Sequence, residues 1–200
     1  MQNKIIPLKI EGINDRIYSS FWSRLGANLL DMLIIIPFSI LIIYLNSINL
    51  YLYLFTVIPN LIFILWYNIY LPKKHGGTPG KLIVGLKIVK LNSSSISWKE
   101  SFLRHSVNLF FILANIIIMI IAIIKADSEI YNNLSWSEQS LYLASIFNLG
   151  ILTILMNIWI WGEIIVILFN KRRRAIHDFI AGTVIIKSKY LENIINEMGE

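Results

Sequence analysis

Four long apolar stretches, at roughly 22–45, 50–71, 105–124 and 142–169, constrain this chain more than anything else in it. A hydrocarbon core about 30 Å thick is crossed by around 20 helical residues, so each stretch is long enough to span a bilayer. Backbone groups in lipid must bond within their own segment, and these runs lack strand-like alternation, which makes them helices and not barrel strands. With 56% hydrophobic and 15% charged residues, the chain has too little polar surface for a soluble domain of its length. The third stretch is the shortest. The fourth is the longest and is expected to tilt or to run past the headgroups.

The polar connections carry their charge unevenly. The loop after the second span holds Lys73, Lys74, Lys81, Lys87, Lys90 and Lys99 against Glu100, and the tail after the fourth opens with Lys171-Arg172-Arg173-Arg174. The connection at 46–50 is uncharged, and the one near 125–140 holds Lys125 against Asp127, Glu129 and Glu138. The positive-inside rule therefore predicts both termini and the middle loop in the cytoplasm, with two short loops outside. The first twenty residues lack an apolar signal core, so the first helix is expected to serve as a retained insertion signal. The net charge of +6 follows from these flanks. Nucleic-acid binding is excluded as its explanation, because no stacking aromatics are interleaved with the basic residues. The absence of cysteine excludes disulfides and thiolate metal sites.

Within the first span stand Arg24, Asn28 and Asp31, at i, i+4 and i+7 on one helical face. A charge at the bilayer centre costs roughly 3 kcal/mol on insertion scales unless paired or hydrated. Asp31 lies about 13 Å along the axis from Trp22, close to the midplane. Helical side chains lean towards the N-terminus, so a direct bridge to Arg24 within the helix is not expected. Asp31 is assigned to the bundle interior, with Asn28, Asn60, Asn108 and Asn115 as candidate neighbours and no cation in reach; such a carboxyl is expected to be protonated or ion-bound. Arg104, Asn108 and Asn115 repeat the polar stripe on the third span. In the fourth, Glu163 is expected to snorkel or to pair with Arg172. Singly, each asparagine reads as interhelical glue worth about 0.6 kcal/mol.

The two basic segments have matching shapes. Gly76-Gly77-Thr78-Pro79-Gly80-Lys81 marks a turn, followed by an apolar-basic piece ending near Ile88-Val89 that reads as a strand or an interfacial helix turn. In the tail, a short helix from Ala175 is expected to stop at Gly182, with Thr183–Ile186 as a strand. Two such isolated strands would satisfy each other as a small ribbon.

Taken in order, these pieces resemble the RDD family of small multi-pass bacterial and archaeal membrane proteins, named for one arginine and two aspartates. The matching residues are Arg24 leading to Asp31; the Gly77-Thr78 turn closing on Gly80, Lys81, Gly85 and Leu86; Arg104; and His177-Asp178 with Ala181-Gly182-Thr183. By resemblance the naming residues are Arg24, Asp31 and Asp178. The family motif puts Arg24 and Asp178 at one membrane face, where arginine's planar fork suits a carboxylate partner. The resemblance implies the plasma membrane of a prokaryote as the site, and transport of ions or small solutes and nothing finer.

The expected architecture is an all-α membrane protein, one domain over 1–190 with four transmembrane helices, amphipathic or ribbon segments after helices two and four, and a short tail at 191–200. Two functions remain open: a transporter or transporter subunit, oligomeric because four helices are few for a carrier, with Asp31 as its proton or cation site; or a scaffold whose charges fix topology and contacts with other membrane proteins. No nucleophile–base pair, phosphate loop or metal cluster points to an enzyme, a cofactor or a metal, and His177 beside Asp178 does not by itself make a ligand site.

Overall fold

The computed structural model describes residues 5–147 and 150–199. Its elements run α1 (Phe21–Ile48), α2 (Leu52–Leu65), a π-helical turn (Trp66–Tyr70), α3 (Leu71–His75), α4 (Pro79–Ile83), β1 (Leu86–Lys90), α5 (Trp98–Lys125), α6 (Ser128–Asn133) and α7 (Trp136–Ile146). After these come α8 (Gly150–Phe169), α9 (Ile176–Ile180), β2 (Thr183–Lys187), a 3₁₀ turn (Ser188–Tyr190) and α10 (Leu191–Gly199). Four helical runs are long and apolar enough to cross a membrane: Phe21–Ile48, Leu52–Ile83, Trp98–Lys125 and Gly150–Phe169. At 28 residues, α1 and α5 are each about 42 Å long, more than a hydrocarbon core requires.

The fourth span is shorter than the expected 142–169. The helix α7 ends where Phe147 turns extended (φ −138°, ψ 124°), and the apolar helix α8 begins at Gly150. The signal is local: Ser135 and Glu138 cap α7 reciprocally, with Glu138 accepting from the Ser135 N–H at 2.9 Å, so the segment is a connection with its own helix.

The chain divides into two compact units. The first combines residues 1–34, 65–106 and 160–200, of which 1–4 and 200 lie outside the described residues. At its centre β1 and β2 pair antiparallel, Leu86 opposite Lys187 and Lys90 opposite Thr183, with Ile88 and Ile185 at the midpoint. Exchanging the two strands maps this register onto itself. Period-two alternation buries both faces of the ribbon. Val89, Val184 and Ile186 join Ile6, Ile10, Ile17, Tyr18 and Ile194 on one face, while Leu86, Ile88 and Ile185 join Ala27 and Ile96 on the other.

Each strand is entered from a five-residue helix through a left-handed glycine, Gly85 (φ 73°) after α4 and Gly182 (φ 66°) after α9. A side chain there would strain the turn. Within the segment 191–200, expected as a short tail, Leu191–Gly199 forms α10 and buries Ile194 completely. The N-terminal segment is drawn in the same way: Tyr18 donates its hydroxyl to Ile6 O at 3.0 Å, and Ser19 N–H bonds Ile185 O at 3.0 Å.

The second unit comprises 35–64 and 107–159, of which 148 and 149 lie outside the described residues. Leu50, Ala122, Ile123, Tyr131 and Leu143 form its core, and Phe38 stacks on Phe63 with centroids 4.0 Å apart. The connection after α1 is fastened by polar bonds to the α6–α7 segment: Tyr131 Oη donates to Asn46 O at 3.1 Å and Gln139 Nε2 to Ser47 O at 3.1 Å.

Candidate functional site

Among the described residues of α1, three are buried: Arg24, Ala27 and Asp31. Their spacing of three and four puts them on one helical stripe. The rest of the helix is half-buried or exposed apolar surface, with Met32 and Leu33 both more than 60% exposed. One stripe of α1 thus carries two opposite charges with a small residue between them, and each charge is met by one of the two helix–glycine–strand elements.

Asp31 is met by the first. The turn at Gly76–Thr78 reverses the chain, and Pro79 at the first position of α4 leaves the next backbone N–H, that of Gly80, free to donate. It donates to Asp31 Oδ1 at 2.7 Å. Tyr67 Oη donates to the same oxygen at 2.6 Å, and Thr78 Oγ1 to Oδ2 at 2.5 Å. Lys81 Nζ stands 3.6 Å from Oδ2.

This corrects the expectation for Asp31 on two counts. A cation is in reach, because α4 folds back against α1 and brings Lys81 with it. Its direct hydrogen-bond partners are also Tyr67, Thr78 and Gly80 in place of asparagines, with Asn28 sharing Lys81 beside it. Asn28 is exposed and accepts from Lys81 Nζ at 3.5 Å. Asn60, Asn108 and Asn115 belong to the second unit. There Asn108 accepts from Trp159 Nε1 at 3.1 Å, and both Asn108 and Asn115 are exposed on α5.

The approach of α4 depends on two small residues. A Cβ built on Gly80 would overlap Ala27 O and lie 2.7 Å from both the backbone nitrogen and Cγ of Asp31. Backbone packs on backbone here, and only glycine fits. Gly77 is tight as well, since a Cβ there would lie 3.2 Å from the Leu82 side chain. Tyr67 reaches Asp31 from the π-helical turn, where the extra residue rotates the following side chains relative to an α-helix.

Asp178 is met from several sides. It is the third residue of α9, fully buried, and its Oδ2 accepts the Ala175 backbone N–H at 2.9 Å. The same oxygen pairs with Arg24 Nη1 at 2.9 Å. Arg104 Nη1 pairs with Oδ1, and Thr183 Oγ1 lies 3.4 Å from that oxygen.

Arg24 spends its other donors on Ser19 Oγ at 2.7 Å and Arg173 O at 2.5 Å. Arg173 turns that carbonyl inward by adopting φ 53°, a left-handed conformation uncommon outside glycine. Arg174 Nε donates to Thr183 O at 2.9 Å and its Nη2 to Asp178 O at 2.8 Å, with its guanidinium 4.0 Å above the Phe179 ring. Burial alone would push the Asp178 carboxyl pKa up. The guanidinium charges of Arg104 and Arg24, with the Ala175 N–H, outweigh burial and hold it well below the usual carboxylate range.

His177 faces a carboxylate and a guanidinium. Its Nε2 lies 3.0 Å from Arg104 Nη2, which can only donate, so Nε2 accepts and Nδ1 carries the hydrogen. Nδ1 stands 2.8 Å from Glu163 Oε2, and Glu163 Oε1 accepts the His177 backbone N–H at 3.0 Å. Glu163 is therefore taken by His177, not by Arg172 as expected, because α9 starts beside α8. Of the other motif residues, Ala181 is buried at the end of α9, and Thr183 is fully buried at the start of β2. Among the described residues no group of three His, Asp or Glu side chains is arranged to hold a metal ion.

Sequence reading did not single out Tyr67, Ser19 or Arg174. Tyr67 sits in an apolar run with no spacing signal, while Arg174 reads as one more flanking cation.

Comparison with known proteins finds one match. The RDD family model covers residues 18–182, from Tyr18 at the edge of the ribbon to Gly182 at the start of β2. No curated protein and no solved structure matches the chain.

Proposed function

We propose that this chain, which belongs to the RDD family, works as a transport subunit for ions or small solutes, with Asp31 as the group whose charge is used. The observation that carries this reading is the placement of Asp31: an ionisable side chain inside a helix apolar enough to cross a membrane, 7% exposed, with Lys81 as the cation within 4 Å of it. Intramembrane ionisable groups are costly and mark ion or proton pathways more often than they mark anchors.

The chain has both termini and the ribbon unit in the cytoplasm, as its loop charges favour, and sits in the plasma membrane of a prokaryote, as its family favours. It works as a homo-oligomer or with other membrane proteins and has no catalytic activity. Supporting an assembly, only 6% of the apolar window of α1 and 6% of that of α8 are buried within the chain. Lipid or a further chain must cover the rest.

A second reading is favoured by one observation: every oxygen of Asp31 and Asp178 has a partner, as a purely structural clamp requires. In that reading the chain is a scaffold. Liposome flux decides. Asp31→Asn keeps an oxygen for Tyr67 and Gly80 and turns an amide towards Thr78, so the fold survives; the transport reading expects flux to be lost with the unfolding temperature nearly unchanged. Reconstituted wild-type protein of confirmed oligomeric state that moves no ion or solute would leave the scaffold reading in its place.

A further inference from the structure

Three oxygens surround the Lys81 ammonium. Thr78 Oγ1 lies 3.2 Å from Nζ, Asn28 Oδ1 3.5 Å and Asp31 Oδ2 3.6 Å. All three distances exceed the 2.7–2.9 Å usual for a charge-assisted N–H···O bond. The ammonium is cradled without being tightly bonded. The site also opens outward, since Asn28 is exposed and Lys81 half-buried, whereas Thr78 and Asp31 behind them are buried.

Charge balance gives the cradle its meaning. Of the four groups that contact the Asp31 carboxylate, Tyr67, Thr78 and the Gly80 N–H are neutral donors. Among the described residues Lys81 alone pairs with the negative charge. A buried carboxylate needs a counter-charge, and neutral donors lower its cost without removing it. Whatever displaces Lys81 must therefore be a cation that accepts a carboxylate, a hydroxyl and an amide oxygen. These are hard oxygen ligands, of the kind that bind alkali and alkaline-earth ions and not transition metals. One formal charge selects the monovalent class. Ammonium and potassium are nearly equal in size, so a cradle shaped around the first suits the second better than it suits sodium.

We infer that Asn28, Thr78 and Asp31 form a monovalent-cation site of potassium size, occupied here by the chain's own Lys81 ammonium, which acts as a tethered competitor for the ion. The lysine chain is four carbons long and flexible, so Nζ can leave the cradle while α4 stays packed on α1 through Gly80. The inference deepens the transport reading and rests on it for the use of the ion. Binding itself is read without flux, so either can fail alone.

The test is the thermal unfolding of the detergent-purified full chain in potassium, sodium and choline chloride at equal ionic strength, for wild type, K81M and D31N/K81M. In choline chloride K81M should melt several degrees below wild type, because Asp31 has lost its counter-charge. Potassium should restore most of that loss saturably and sodium less of it, as binding to the folded state alone requires. Wild type and D31N/K81M should show no such rise. An equal response of K81M to all three salts, or the same potassium rise in D31N/K81M, overturns the site. A K81M protein that purifies only in potassium supports it. If K81M and K81Q fail to fold in every salt, Lys81 is a fixed structural charge and the inference falls.

Discussion

Lys81 and Asp178 hold the same place in two copies of one local structure. Each stands four residues ahead of a left-handed glycine, on a five-residue helix that leads into a strand of the ribbon. They carry opposite charges, and α1 answers each with its opposite, Asp31 for Lys81 and Arg24 for Asp178. The antiparallel register, unchanged when the strands are exchanged, gives the same relation in the backbone. The second pair is the more deeply buried and gains Arg104 as a further partner.

Asp178→Asn is expected to destabilise strongly. It removes the one carboxylate between two guanidiniums that stay buried, and breaking a buried pair by deleting one partner costs about 3–5 kcal/mol. Thermal unfolding in detergent checks this. A loss below about 1 kcal/mol would mean that Arg24 and Arg104 are hydrated once released.

Acid should act through the same residue. A carboxyl held below its ordinary range in the folded state contributes stability that is complete above the unfolded value of about 3.9 and is lost as pH falls through the folded value. The melting temperature of wild type should therefore begin to drop near pH 4 and go on dropping below it. Asp178→Asn, already without the carboxylate, should show a shallower acid slope over that window.

Two glycine substitutions form a matched pair. Gly80→Ala forces a methyl against the backbone of Ala27 and Asp31 and should cost about 1–3 kcal/mol as α4 is pushed off α1. At Gly26, one residue before Ala27 on α1, an added Cβ meets nothing within 4 Å. Gly26→Ala should be neutral or gain up to about 1 kcal/mol from helix propensity. Equal effects of the two would place the contact between α4 and α1 in doubt.

Much of the architecture was legible because its cause is local. Hydropathy alone locates α1 and the apolar part of α5, and the β-branched run Thr183–Ile186 after Gly182 announces a strand. The polar first turns of α5 from Trp98 make the third span read as the shortest when it is 28 residues long. What stayed hidden depends on the chain turning back on itself. No helical period in 76–81 says that Gly80 will lie against Ala27, although a glycine beside a proline is the residue such an approach needs. Lys81 consequently read as a topology charge when it also serves Asp31. Tyr67 was invisible because the π-helical turn changes the facing of the residues around it. The pairing of Arg24 with Asp178 follows from the order of family motifs, since 154 residues of separation carry no periodic signal.

Orientation is open to direct measurement. The chain has no cysteine, and Ser137 and Ser188 are both exposed. Single cysteines at these positions in intact cells should behave oppositely: Ser137→Cys should react with an impermeant maleimide and Ser188→Cys only after permeabilisation. The reverse pattern would invert the proposed topology.

The register of the ribbon has a mechanical consequence. Sliding one strand of the pair by a single residue would carry that strand's apolar set, Ile88 in β1 or Ile185 in β2, to the wrong face. Sliding β1 to carry α4 along α1 would thus take Leu86 and Ile88 off the face they share with Ala27 and Ile96. The register locks both halves in place: neither Lys81 nor Asp178 can be withdrawn by shifting its strand, and the motion left to the site at low cost is that of the lysine side chain itself.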